Sequence, residues 1–313
     1  MIALAKIVQP GLATMVQDLG RPAQRHLGVP LSGGADPVSL ALANAAAGNS
    51  DNTPALECTI KGPVLTFEKN VTFAMAGADM APRLNGAEAP LYQPIEAKAG
   101  DTLELAASKT GARMYIAFQG GVAGDRFLGG VSTYLPAAIG GFQGRLLRAG
   151  DTLYSADRNL FAPREIPPSM RAILSNTFVL RATRGPETDS FKGSEYIFGS
   201  RWTVGRRASR MGAQLEGTAL KLEQAPPMAS SPVFPGTVQC PPDGAPFLLL
   251  ADAQTVGGYP RIAQVIAADL HLAGQLRPGG EVWFRRISPE DARETAYRKA
   301  ALFEGFLPRR LFL

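Results

Sequence analysis

The 313-residue sequence predicts a mainly β fold with a few helices, arranged as two β-barrel domains. Three observations predict it. The chain carries 34 glycines and 25 prolines, and punctuation this dense favours many short strands over a few long helices. The text between the punctuation marks runs in short apolar or alternating stretches, the pattern of half-buried strands. A turn-and-strand phrase also recurs, as KAGDTLEL (98–105), RAGDTLYS (148–155) and RPGGEVWF (277–284). Its unequal intervals exclude a solenoid, and two copies in the first half with one in the second fit equivalent hairpins of a duplicated β architecture.

The elements follow in order. IALAKIV (2–8) is a first strand ending at Pro10-Gly11, and the LATMVQDLG segment that follows has Val16 and Leu19 inward and Gln17 and Asp18 where the chain turns. Asp36 to Gly48 is a helix. Asp36 is its N-cap, Pro37 fills the first helical position and Gly48 the left-handed exit. Val38, Ala41, Leu42 and Ala45 share one face, and Asn44 suits either a loop carbonyl or a ligand. ALECTI, PVLTFE, VTFAMAG, PLYQPIEA and DTLEL supply strands between residues 55 and 105, and YIAFQGGV (115–122) adds another. The proline-rich stretch 156–170 reads as a domain boundary, giving domains 1–160 and 161–313. Strands resume at AILSNTFVLRATRGP and RWTVG, and Phe247–Leu250 is a buried strand. Ser288-Pro289-Glu290-Asp291 opens a terminal helix that runs to about Phe303 and ends at Gly305.

Composition removes several function classes. The net charge of +5 comes in short arginine pairs without a basic stripe interleaved with aromatics, so no nucleic-acid partner is expected, whereas a small anionic substrate needs only one or two arginines. No run of about 18 apolar residues predicts a membrane span, no leader precedes a cleavage site, and two distant cysteines suit a reducing compartment. A cytoplasmic protein is expected. There is no phosphate-binding GxxxxGK[ST] loop, no GxGxxG opening a helix, no GxSxG elbow and no metal-ligand spacing among His26, His271, Cys58 and Cys240. No metal is expected. Catalysis would draw on amides, carboxylates, arginines and backbone N–H groups, an inventory suited to stabilising a carboxylate, carboxyphosphate or enolate-like charge. The stretch Thr14–Glu57 concentrates such groups: Gln17, Asp18, Arg21, His26, and a turn at Ser32-Gly33-Gly34. A second concentration runs from Arg210 to Arg261.

The text QDLGRPAQRHLGVPLSGGADPVSLALANAAAGN…ALE, continued by YIAFQGGV, STYLPAAIGGFQGRLLRAGD, RGPETDSF, SRMG and GTVQCPPDGAPFLLLADAQTVGGYPRIAQVIAADL, resembles the KipA/PxpC family, also labelled allophanate hydrolase subunit 2 or biotin-dependent carboxyltransferase-like. The resemblance implies two cyclophilin-like β-barrel domains, and a partner of the KipI/PxpB type. It implies a C-type component of an ATP-dependent 5-oxoprolinase that opens 5-oxoproline to glutamate with PxpA- and PxpB-type subunits, ATP entering at the level of the complex. Two alternatives stay open: a carboxyltransferase half served by biotin on a separate carrier, and a KipA-type regulator that sequesters a KipI-type kinase inhibitor. On the first reading Asp18, Arg21 and Arg210 are the catalytic candidates. Gln17 belongs to the first wall of the site, and Ser32 and Asp36 fix the turn that follows. Gln239, Gln254, Thr255, Tyr259 and Arg261 supply an opposing wall with Arg210. Gly257 and Gly258 offer backbone N–H groups. Arg210 or Arg261 would hold a carboxylate or phosphate in the bidentate manner of a guanidinium. Two departures from the family's text are Val131 in place of an arginine and Arg261 in place of a lysine.

Overall fold

The computed structural model describes residues 2–156, 160–190, 193–220 and 228–313, so residues 157–159 of the proline-rich stretch and Phe191 of the RGPETDSF text lie outside the described residues. The chain divides into two compact units. The first comprises residues 1–21, 32–174 and 305–308; the second comprises 22–31, 175–304 and 309–313. The fold is mainly β, with three α-helices among the described residues.

The first unit is built from two sheets. One orders its strands Thr152–Tyr154, Ala3–Gln9, Val64–Phe67, Thr102–Glu104, Arg83–Leu84, Ala87–Glu88; the other orders Ala13–Gln17, Ala55–Thr59, Arg113–Phe118, Val71–Gly77, Ile95–Ala97. Alternation along the strands directs Ile7, Leu65, Phe67 and Leu103 of the first sheet and Val16, Leu56, Phe73, Met75, Ile116 and Phe118 of the second into one core, and a register shift between Ala3 and Ala5 accompanies the entry of Leu4, which is out of phase with Ile7. Phe67, Phe73 and Phe118 meet there with ring centroids 5.1–6.5 Å apart.

Helix α1, Pro37–Ala46, starts where the sequence places it. The Asp36 carboxylate accepts from Ser39 N at 2.9 Å and from Ser39 Oγ at 2.6 Å. Gly48 leaves at φ +76°, and a Cβ there would collide with the carbonyl of Phe161. The one-faced burial expected from its periodicity is too weak: every residue from Val38 to Ala46 is buried. Two asparagines make that tolerable. Asn44 donates to the carbonyls of Asp51 (3.3 Å) and Thr53 (2.8 Å), which answers its open reading in favour of the loop, and Asn49 donates to Phe118 O at 2.8 Å and accepts from Gly120 N at 2.9 Å.

The second unit contains a closed seven-stranded barrel. Its strands run Thr177–Arg184, Arg261–Val265, Thr237–Gln239, Phe247–Leu249, Gly212–Glu216, Arg201–Ala208 and Glu281–Arg286, the last closing on the first in parallel and the others pairing antiparallel. Closure removes exposed edges. Helix α2 is a single turn, Leu270–Ala273. Helix α3, Pro289–Leu302, is capped by Ser288, whose hydroxyl accepts from Asp291 N at 3.0 Å, and Gly305 follows at φ +79°. None of the described helices is long and apolar enough to cross a membrane.

The recurrent phrase has a common turn geometry but does not build the expected hairpins: the strands Ile95–Ala97 and Thr102–Glu104 on either side of the first turn belong to different sheets, and the strand Glu281–Arg286 after the third follows helix α2. Gly100, Gly150 and Gly279 all take the left-handed conformation, at φ +92°, +90° and +81°. The next residue donates back across each turn: Asp101 N to Lys98 O, Asp151 N to Arg148 O and Gly280 N to Arg277 O, at 3.0–3.1 Å. In the first two copies the aspartate also accepts from the backbone of the basic residue, at 2.7 Å in each, which glycine in the third cannot do.

Candidate functional site

In the first unit, the strand Ala13–Gln17 delivers Gln17, Asp18 and Arg21 into a fully buried setting. Asp18 receives donors on both carboxylate oxygens. Oδ1 accepts from Gly20 N at 2.9 Å, from Ser132 N at 3.2 Å and from the Ser132 hydroxyl, and Oδ2 accepts from Val131 N at 2.7 Å. Arg21 donates through Nε to Phe127 O at 3.0 Å and through Nη2 to Ser132 O, with its guanidinium 5.8 Å from the Phe127 ring centroid. Both residues, expected as catalytic groups, thus hold the strand end to the 127–132 segment. Gly140 completes this clamp. It sits at φ +72°, and a side chain there would run into Ser132 O and the Arg21 guanidinium.

Gln17 and Ser32 differ from these. Gln17 donates through Nε2 to Thr133 O at 3.0 Å, but among the described residues its buried Oε1 has no hydrogen-bond partner, nor does the buried Ser32 Oγ. Ser32 stands at φ +54° and Gly33 at φ +86°, where a Cβ would lie 2.8 Å from the Leu19 carbonyl carbon. Asp36, expected to fix the turn, does so as the α1 cap, and its backbone N donates to Tyr115 Oη at 2.8 Å. Tyr115 Oη donates in turn to Glu57 at 2.7 Å, and Ala35 N donates to the same Glu57 oxygen at 2.8 Å. Burial first, and then the charges of Glu57 and Asp36, push the Tyr115 hydroxyl well above its ordinary range, so it stays a donor. Exposed His26 sits on a short 3-10 turn.

In the second unit, Arg210 lies against Asp252 in a bidentate pair, Nε to Oδ2 at 2.8 Å and Nη2 to Oδ1 at 3.0 Å, both side chains buried. Arg261 closes on Glu187 in the same way, Nε to Oε2 at 2.8 Å and Nη2 to Oε1 at 2.5 Å, and donates through Nη1 to Pro232 O at 2.8 Å. That hydrogen bonding holds the Glu187 carboxyl below its usual range and raises Arg261. The two guanidiniums expected to grip a substrate anion are therefore turned to internal carboxylates. Arg261 meets Glu187 through a two-point fork that a lysine ammonium could not offer.

Gln239, Gln254, Gly257 and Tyr259 do come together. Gln254 Nε2 donates to Gln239 Oε1 at 3.3 Å, and Gln239 Nε2 donates to Tyr259 O at 3.1 Å. Gly257 presses its backbone onto Gln239, and a Cβ would sit 2.7 Å from Gln239 Nε2. The Thr255 carbonyl is taken by Val233 N at 3.1 Å. Gly258 and the Tyr259 side chain are exposed at the surface of this cluster. Sequence reasoning missed Ser132 and Glu187. Both stand in family-like text (STYLPAAIGG and RGPETDSF), but the acceptor or charge that each completes lies 74 or more residues away.

A family model described as "Carboxyltransferase domain, subdomain A and B" matches residues 27–286. The chain is 37% identical over 280 residues to the C subunit of 5-oxoprolinase from Haemophilus influenzae, covering 88% of this chain and 89% of that protein. It is 35% identical over 303 residues to the C subunit of 5-oxoprolinase from Escherichia coli, covering 96% and 97%. Among solved structures, the urea amidolyase of K. lactis superposes with a TM-score of 0.92 at 30% identity; the match covers 98% of this chain but spans only 20% of that much longer one.

Proposed function

The chain belongs to the carboxyltransferase domain family, subdomains A and B, and on that footing we propose that it is the C-type component of an ATP-dependent 5-oxoprolinase, acting with PxpA- and PxpB-type subunits in the cytoplasm. The observation that carries this reading is the reciprocal coverage. Two proteins named as C subunits of 5-oxoprolinase match over 88–97% of both chains, whereas the matched region is only a fifth of the urea amidolyase. Opening an unstrained lactam near neutral pH is hard, and phosphorylating the amide oxygen makes the carbonyl carbon a better electrophile. ATP is thus a co-substrate of the complex. Arg210 and Arg261 face internal carboxylates, so the phosphates fall to the other members of the complex.

Within this chain the groups proposed to meet the substrate are those with hydrogen-bonding capacity left over. In the first unit these are Gln17 Oε1, an acceptor suited to a lactam N–H, and Ser32 Oγ, able to donate or accept. The second unit, taken by itself, leaves Gln254, the exposed Tyr259 side chain and the Gly257-Gly258 backbone available for a ligand of its own. Asp18, Arg21, Asp36, Gln239 and Arg210 act as positioning residues. The test is co-expression with PxpA- and PxpB-type subunits, followed by assay of 5-oxoproline loss, glutamate formation and ADP release. Absence of turnover from the full set, under conditions where the E. coli homologue supports turnover with the same partners, sinks the proposal.

A second reading is favoured by the family description and the urea amidolyase superposition: a carboxyltransferase half served by a separate biotinylated carrier. Bicarbonate-dependent carboxylation on adding such a carrier, without 5-oxoproline turnover, selects it.

A further inference from the structure

Ser32 is held in an unfavourable backbone shape by groups that lie far from it in the chain. Its φ of +54° is a left-handed conformation that a residue with a side chain rarely takes, and its buried hydroxyl has no hydrogen-bond partner among the described residues. The side chain's own bonding therefore does not offset the cost of the turn. What fixes the turn lies just downstream, where three consecutive backbone N–H groups are each taken by a different part of the first unit. Gly34 N donates to Asp18 O at 2.9 Å, Ala35 N to Glu57 Oε2 at 2.8 Å and Asp36 N to Tyr115 Oη at 2.8 Å.

The two side chains among these acceptors act as a pair. Glu57 and Tyr115 stand opposite each other in the register of the strands Ala55–Thr59 and Arg113–Phe118. Their neighbours Leu56, Met114 and Ile116 enter the core between the sheets, so alternation turns Glu57 and Tyr115 to the other face of a sheet against which α1 packs. Tyr115 Oη donates at 2.7 Å to the same Glu57 oxygen that accepts from Ala35 N. One carboxylate oxygen thus draws in two successive amides, Ala35 directly and Asp36 through the phenol. The Tyr115 ring also closes on Gly34, where an added Cβ would lie 3.3 Å from Tyr115 Cε1 and 3.0 Å from Leu40 Cδ2. The Asp36 side chain caps α1 and Ala35 precedes that cap, so the Ala35 bond serves the turn.

We infer that Glu57 and Tyr115 are positioning residues of the substrate site, locking residues 32–36 so that the Ser32 hydroxyl is presented at a fixed place; this rests on the reading that Ser32 meets the substrate. The Gly34 bond joins main-chain groups and survives an exchange of side chain, whereas the Ala35 and Asp36 anchors depend on the carboxylate and the phenol. Without them the serine can relax from the left-handed region toward the conformations it favours, and the hydroxyl leaves its place while the protein stays folded.

The test is steady-state kinetics of the complex reconstituted with PxpA- and PxpB-type subunits, with Tm recorded for each variant. Tyr115→Phe removes only the hydroxyl and should lower kcat/KM about five-fold, yet in the Ser32→Ala background it should change kcat/KM by less than about two-fold, since no hydroxyl is then left to aim. Glu57→Gln keeps the shape, removes the charge and should follow the same rule; it serves if Tyr115→Phe does not fold. Tyr92→Phe is the matched control. It deletes another buried phenol of the first unit that accepts from a backbone N–H, Gly77 N at 3.1 Å, and should lower Tm while leaving kcat/KM within about two-fold. A purely structural role for Tyr115 gives equal losses in both backgrounds. The inference is overturned if the losses from Tyr115→Phe and Ser32→Ala multiply, or if Tyr115→Phe does no more to kcat/KM than Tyr92→Phe. Unchanged kinetics in Ser32→Ala remove Ser32 from the site and the inference with it, whereas a loss in Ser32→Ala with none in Tyr115→Phe overturns the inference alone.

Discussion

Asp18→Asn tests whether the carboxylate belongs to the architecture or to the chemistry. The exchange is isosteric, so packing is kept and only the hydrogen-bonding character changes. All the partners of the carboxylate are donors: Gly20 N, Ser132 N and the Ser132 hydroxyl on Oδ1, and Val131 N on Oδ2. An amide must turn its own NH2 toward one of these groups. The cheaper orientation places it at Val131, which leaves a buried N–H without an acceptor at a cost of roughly 1–3 kcal/mol and removes the charge assistance from the remaining bonds, about another 1 kcal/mol in total. A loss of about 3 kcal/mol corresponds to a fall in Tm of roughly 6–12 °C for a unit of this size. Differential scanning calorimetry at neutral pH measures it. Ser132→Ala should cost less in the Asp18→Asn background than in the wild type, because the hydroxyl has then already lost its ionised acceptor. A Tm change under about 2 °C, or strict additivity of the two substitutions, refutes the structural assignment.

Ser32→Ala removes a buried hydroxyl that has no internal partner, so Tm should hold within about 2 °C, while kcat/KM of the reconstituted complex falls about ten-fold if the hydroxyl meets substrate; unchanged kinetics would take Ser32 out of the site. Arg210→Ala strands the Asp252 carboxylate in a buried position and should cost about 3–5 kcal/mol by denaturant titration, whereas the double change Arg210→Met with Asp252→Leu should recover much of it; equal damage from both would argue against the ion pair as the cause. His271 is buried with Nε2 3.0 Å from Lys299 Nζ. Burial first, then the charges of Lys299 and Arg181, hold its imidazole well below the usual range. The unfolded chain takes up that proton near pH 6.5 and the folded chain does not, so this contribution is complete above about pH 6.5 and is lost as the pH falls below it. Tm measured from pH 7.5 down to 5 should therefore fall more steeply in the wild type than in His271→Gln, and parallel curves would contradict the assignment.

Signals in the sequence are legible where their physics is local. Asp36-Pro37 and Ser288-Pro289 announce helix starts because a cap bonds backbone three residues away, and the three turn-and-strand phrases announce equivalent turns, though not hairpins, because a left-handed glycine and the bond across it need only four residues. The complete burial of α1 is not legible in its one-faced pattern, because sheet strands cover it from segments up to 80 residues distant. The candidate residues show the same limit. The sequence identified Asp18, Arg21, Arg210 and Arg261 as chemistry-bearing groups, but chemistry-bearing and free to react are different properties.

The β-rich class, the helix caps, the repeated glycine turns and, through long contiguous text, the family all follow from the sequence. Tertiary structure alone decided which polar groups are already satisfied. Ser132 reaches Asp18 across 114 residues, Asp252 reaches Arg210 across 42, and Glu187 reaches Arg261 across 74. Whether a buried charge serves a ligand or its own fold depends on what else occupies hydrogen-bonding distance, and such neighbours are set by how the sheets and the barrel bring distant segments together.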